Sequence, residues 1–119
     1  MKLHNHDALN RDALQALHAI LANKETRRRA AEIVSKAGGV EEVLEILALH
    51  DDKLSPMALS VISNLLSYPP VHTQCEKYAK PVHLLAVDAL AKYPEHAEIQ
   101  RNGAGLLYAV MVHQCCLFR

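Results

Sequence analysis

The chain has 119 residues, half of them hydrophobic, and thirteen basic side chains balance thirteen acidic ones. That is one domain's worth of residues with enough apolar surface for a core, which excludes a disordered tail. A formal net charge of zero gives no global field for nucleic acid or an anionic membrane. No apolar run is long enough to span a bilayer, and the opening MKLHNHDALN is too polar for a secretory signal.

Aromatic residues make up 4% of the chain and Trp is absent, so Leu, Ala, Val and Ile must build the core, which suits close helix packing. Three cysteines, two of them adjacent at Cys115-Cys116, do not form a disulfide framework. A reducing, cytoplasmic setting is the simpler expectation. The terminal Cys116-Leu117-Phe118-Arg119 has a prenylation-like cysteine, but Arg in last place argues against lipidation.

In chain order, residues 1–6 are expected to be flexible. Asp7 is placed to cap a helix from Ala8 to about Ala22. After a break at Asn23-Lys24-Glu25, a second helix is predicted over Thr26–Ala37, with Ala30, Ile33, Val34 and Ala37 along one side and Gly38-Gly39 ending it. A third helix follows from Val40 to about His50, burying Val43, Leu44, Ile46 and Leu47 and exposing Glu41, Glu42 and Glu45. Asp51-Asp52-Lys53 is a polar turn. Ser55 is the expected cap of the next helix, with Pro56 in its first turn, Leu54 and Leu59 as a hydrophobic staple, and Ser67-Tyr68-Pro69-Pro70 as its stop. A short helix is assigned to His72–Tyr78. Pro81 opens a further helix over Val82–Tyr93, burying Leu84, Leu85, Val87, Ala89 and Leu90, and Pro94 closes it. The last helix runs from about Glu95 to His113, where Gly103 and Gly105 each cost about 1 kcal/mol relative to Ala. No strand pattern competes, and residues 114–119 form a second flexible end.

Three of these helices repeat one pattern. LNRDALQALHAIL (Leu9 to Leu21), LSPMALSVISNLL (Leu54 to Leu66) and IQRNGAGLLYAVM (Ile99 to Met111) lie 45 residues apart. Count the first residue of each copy as position zero. Position zero is Leu9, Leu54 or Ile99; position eight is Leu17, Ile62 or Leu107; position eleven is Ile20, Leu65 or Val110. With position four, these make one face of a helix. Position four is small in every copy (Ala13, Ala58, Gly103), as expected where another helix passes close.

The run Ile33-Val34-Ser35-Lys36-Ala37-Gly38-Gly39-Val40, the pairs Val43-Leu44 and Ile46-Leu47, and Ala58-Leu59 followed by Ile62-Ser63-Asn64-Leu65-Leu66 together resemble an armadillo repeat. The resemblance is strong over 32–67. It weakens over 76–113, where Lys80-Pro81 replaces the glycine pair and Gln100-Arg101-Asn102-Gly103 is similar to more divergent arrays in large signalling proteins. It implies an all-α, right-handed α-solenoid of about two and a half repeats built from helix triplets. Residues 8–22 would be the last helix of a partial repeat, and 25–67 and 71–113 two repeats of a single domain.

In that family the third helices line a concave groove that receives an extended peptide or a helix of a protein partner. The import adaptors of the family carry Trp at position six and Asn at position ten of that helix. Here position six is Gln15, Ser60 or Gly105 and position ten is Ala19, Asn64 or Ala109, so Asn64 alone matches and the import-adaptor mechanism is not expected. The expected binding face is Arg11, Gln15, His18, Ser60, Ser63, Asn64, Ser67, Arg101, Gly105 and Tyr108, against the plain alternative of a solvated surface. For Asn64 the alternative is a hydrogen bond between neighbouring repeats.

Arg27-Arg28-Arg29 is expected to be a solvated face paired with nearby carboxylates, with an acidic-peptide or phosphate contact as the lesser reading. His4-x-His6, His72-x-x-Cys75 and His113-x-Cys115-Cys116 lack structural-zinc spacing and lie far apart in a solenoid, so no metal is expected. No nucleotide loop or catalytic motif is present, Asp51-Asp52 included, so neither a cofactor nor an enzyme activity is expected. The leading function is a protein-interaction scaffold. The alternatives are a regulatory armadillo-like segment acting in cis on a kinase-like domain of a larger signalling protein and, more remotely, a small helical metal-binding protein. Exposed end helices, including Leu106, Val110, Val112, Leu117 and Phe118, suggest self-association or continuation into a longer array.

Overall fold

The computed structural model describes residues 7–113. Within them are seven helices and no strand: α1 (Asp7–Ala22), α2 (Lys24–Lys36), α3 (Gly39–Ala48), α4 (Ser55–Leu65), α5 (Pro69–Lys77), α6 (Val82–Lys92) and α7 (Ala97–His113). The flexible ends expected at 1–6 and 114–119, with Leu117 and Phe118, lie outside the described residues.

Local chemistry explains the boundaries. The break after α1 is a single residue: Asn23 is extended and its side chain accepts a 2.9 Å bond from the Glu25 N–H, so α2 starts at Lys24 and not at Thr26. Thr26 Oγ1 donates to the Ile20 carbonyl (2.8 Å) and Arg27 Nε to the Leu21 carbonyl (2.7 Å), satisfying the end of α1. Arg27 is therefore a half-buried cap and not part of a solvated basic face. Gly38 adopts φ 78° between α2 and α3, a left-handed turn that glycine makes without steric cost. Pro69 and Pro70 do more than stop α4: they open α5, which begins before His72.

The expected cap of α4 is overturned. Ser55 is the first residue of the helix, Leu54 holds the cap position, and the Ser55 hydroxyl is buried with no hydrogen-bond partner among the described residues. The turn is made instead by Asp51, whose side chain accepts from Lys53 N (2.7 Å) and whose carbonyl accepts from Ser55 N (2.9 Å). At α7 the His96 ring takes the cap role, with Nδ1 accepting from Ile99 N at 3.3 Å.

Helix α4 is the hub. It packs against α1, α3 and α7, and α6 packs on α7. Leu54, Ala58, Leu59, Val61, Ile62, Leu65 and Leu66 are all buried, so α4 is covered on most of its circumference. Each fully buried Leu or Ile contributes about 1.5–3 kcal/mol. The radius of gyration is 12.8 Å, close to the roughly 13 Å of a globular domain this size.

Two predicted faces are rotated. On α2 the buried residues are Ala31, Val34 and Ser35, while Ile33 is 56% exposed and Ala37 is exposed. On α6 Val82, Leu85, Ala86 and Ala89 are buried, while Leu84 and Val87 face outward. Helix α6 is apolar on most sides, so periodicity alone does not choose its covered side, whereas on α2 the neighbours cover one edge of the apolar stripe and the adjoining Ser35. Glu41, Glu42 and Glu45 are half-buried and not exposed, because α3 is packed by α2, α4, α5 and α6.

Candidate binding face

The face expected to bind lies along α1, α4 and α7, with α4 in contact with the other two. Arg11, Gln15, Ser67, Arg101, Gly105 and Tyr108 are exposed; His18, Ser60, Ser63 and Asn64 are half-buried. One pair is brought together across helices: Ser60 Oγ lies 3.2 Å from His18 Nδ1, linking α4 to α1. Ser63 and Ser67 turn back on their own helix, donating to the Leu59 carbonyl (2.9 Å) and the Asn64 carbonyl (2.8 Å). Their oxygens keep lone pairs able to accept.

The surface is open where Gly105 falls: a Cβ built there meets nothing within 4 Å. At Gly103 it would come within 2.7 Å of Leu90 Cδ2, so the small residue at position four is required by the approach of α6. Three residues from Gly105 on α7, Tyr108 stands 70% exposed. An aromatic ring that bare is a natural anchor for a partner.

Asn102 was missed. Its Nδ2 donates 2.8 Å to the Pro56 carbonyl, tying α7 to the start of α4. A hydrogen bond between helices, the alternative given for Asn64, is made by Asn102. A second missed feature is a cavity of about 480 Å3 where the first turns of the three helices meet, lined by Arg11, Asp52, Lys53, Met57, His96 and Glu98 among others. The nearest signal was the mixed charge at Asp52-Lys53, which sequence assigns to a turn.

His72 and His113 are not far apart: their rings are 5.4 Å between centroids, and His72 Nε2 lies 2.7 Å from the Leu66 carbonyl. Burial first, and then the neighbouring His72, push the His113 pKa down. Among the described residues no group of three or more His, Cys, Asp and Glu side chains is placed to hold a metal ion. Elsewhere, the Lys36 ammonium lowers the Glu32 pKa through a 3.0 Å hydrogen bond, and the Lys80 ammonium does the same for Asp88. Both pairs are solvent-facing and contribute little to stability.

No family model matches the chain, and neither a curated protein nor a solved structure is similar to it. Among the described residues no helix is long and apolar enough to cross a membrane. The fold and the face carry the functional argument by themselves: an all-α protein with a polar, aromatic-bearing surface across three equally spaced helices.

Proposed function

We propose that the chain is a short right-handed armadillo-like solenoid of helix triplets, cytoplasmic, whose α1–α4–α7 wall holds an extended segment or helix of a protein partner. It acts by shape, with no catalytic step. One observation carries the reading: helices 45 residues apart in sequence contact one another in order, α1 with α4 and α4 with α7. Cross-links between layers keep similar spacing, Ser60 to His18, Asn102 to Pro56, and Lys92 and Tyr93 to the His50 carbonyl. Ordered contact between successive layers is what a repeat stack requires. On the wall, Tyr108 supplies the anchor, Asn64 an amide able to meet a peptide backbone, and Arg11 and Arg101 charge at the rim.

The test is a photo-cross-linking side chain in place of Tyr108, compared with the same group at exposed Lys77 on α5. Partner adducts should form at 108 and not at 77. Pull-downs with Asn64→Ala and Tyr108→Ala should lose the same partner, and retention by both variants would mean that the wall is not the binding face.

A further inference from the structure

Two histidines that the sequence holds 41 residues apart meet in the fold. His72 lies in the first turn of α5 and His113 is the last residue of α7. Their ring centres are 5.4 Å apart and the ring planes are tilted by 45°. Two imidazoles bound to one tetrahedral ion at about 2.1 Å place their ring centres roughly 5 Å apart, so this spacing suits a shared ion. The objection that the histidine clusters lie far apart therefore falls for this pair. A second observation concerns the His72 tautomer. Nε2 lies 2.7 Å from the Leu66 carbonyl oxygen, and a carbonyl only accepts, so Nε2 carries the hydrogen. In the neutral ring Nδ1 then holds the lone pair. A backbone carbonyl that fixes one ring nitrogen while the other ligates is the usual support of a metal-binding histidine. Both rings are half-buried, which leaves a path from solvent.

We propose that His72 and His113 are two ligands of a site for a divalent transition cation such as zinc. Imidazole nitrogen suits zinc and its neighbours in the row, whereas magnesium and calcium take oxygen. Cys75, three residues after His72, is buried in the apolar core, and among the described residues no third His, Cys, Asp or Glu joins the pair. The remaining coordination positions go to water or to a donor that follows His113 in the chain. Cys115 comes two residues later, at most about 7 Å of backbone away. Helix α5 packs on α2 and α3, so an ion held by both rings would clamp it to the end of α7 as well. The ion's role there is structural, and binding it adds to the stability of the fold.

The test is a calorimetric titration of zinc chloride into the intact, untagged chain, with magnesium chloride as the control. Zinc should fill a saturable site at one ion per chain and raise Tm; magnesium should do neither. His72→Ala and His113→Ala should each weaken zinc binding about tenfold or more and remove the rise in Tm. Two double variants separate this pair from the other clusters. His4→Ala with His6→Ala, and Cys115→Ser with Cys116→Ser, should each keep a zinc site that still requires both His72 and His113. Circular dichroism checks that the variants fold. A second readout uses the unmodified chain: of its eight histidines, the ring signals of His72 and His113 should shift together in NMR spectra as zinc is added. Zinc binding that survives both His→Ala substitutions overturns the proposal. So does a shift confined to the rings of other histidines, or no binding up to millimolar zinc.

Discussion

Two glycines on one helix make a sharp test of the packing. Gly103 and Gly105 both lie inside α7, and replacing either with Ala should gain about 1 kcal/mol from helix propensity alone. At Gly105 nothing opposes that gain, because the added methyl points into open space. At Gly103 the methyl would sit 2.7 Å from Leu90 Cδ2 and 2.9 Å from its Cγ, so the Leu90 side chain must move. Overpacking of this kind costs about 1–3 kcal/mol. Gly105→Ala should therefore stabilise the protein by about 1 kcal/mol, a rise of roughly 4 °C in Tm for a chain this long. Gly103→Ala should run from neutral to about 2 kcal/mol destabilising once the two effects are summed. Urea unfolding followed by circular dichroism gives both values, and equal slopes would show that neither variant alters the surface exposed on unfolding. Equal stabilisation by the two substitutions would refute the reasoning, since Leu90 would then not press on α7 at position 103.

Four further outcomes follow from particular side chains. Ser55→Ala should stabilise by about 1 kcal/mol, since it removes a buried hydroxyl with no partner; a loss of that size in the same urea assay would restore Ser55 as a helix cap. Asn102→Ala should cost about 1 kcal/mol by removing the bond to the Pro56 carbonyl. Asn64→Ala should leave stability unchanged or raise it by about 0.5 kcal/mol while reducing partner capture, and a large destabilisation would make Asn64 a structural residue. His113 has a folded pKa below its ordinary 6.5, so the unfolded chain binds more protons as pH falls through that value. Stability that is complete above 6.5 is then lost progressively as pH drops from there toward the folded pKa. His113→Gln should flatten this acid-side decline in thermal melts, and an unchanged slope would deny the shift.

Where the helices lie was legible because short-range chemistry sets it. Gly38 needs its left-handed turn, prolines sit in first turns, and apolar residues recur with helical period, all within a few residues of one another. The even spacing of α1, α4 and α7 came from the same source. The candidate face was legible as a set of helix positions, since residues three and four apart share a helix face. Its cross-helix link between His18 and Ser60 was not, because it joins residues 42 apart.

The sequence by itself thus determined an all-α chain, its helix order and its recurring apolar pattern. The tertiary structure decided which side of each helix is covered. Ile20 and Leu65 occupy the same repeat position, yet one is 46% exposed and the other fully buried, because burial depends on what stands opposite and not on the residue. Ser35 is buried where Ile33 is not for a related reason: Gln74, 39 residues away, meets the Ser35 hydroxyl at 2.8 Å. The pairing of His72 with His113 and the bond from Asn102 to Pro56 also depend on partners 41 and 46 residues away. No local window of sequence contains both members of such a pair.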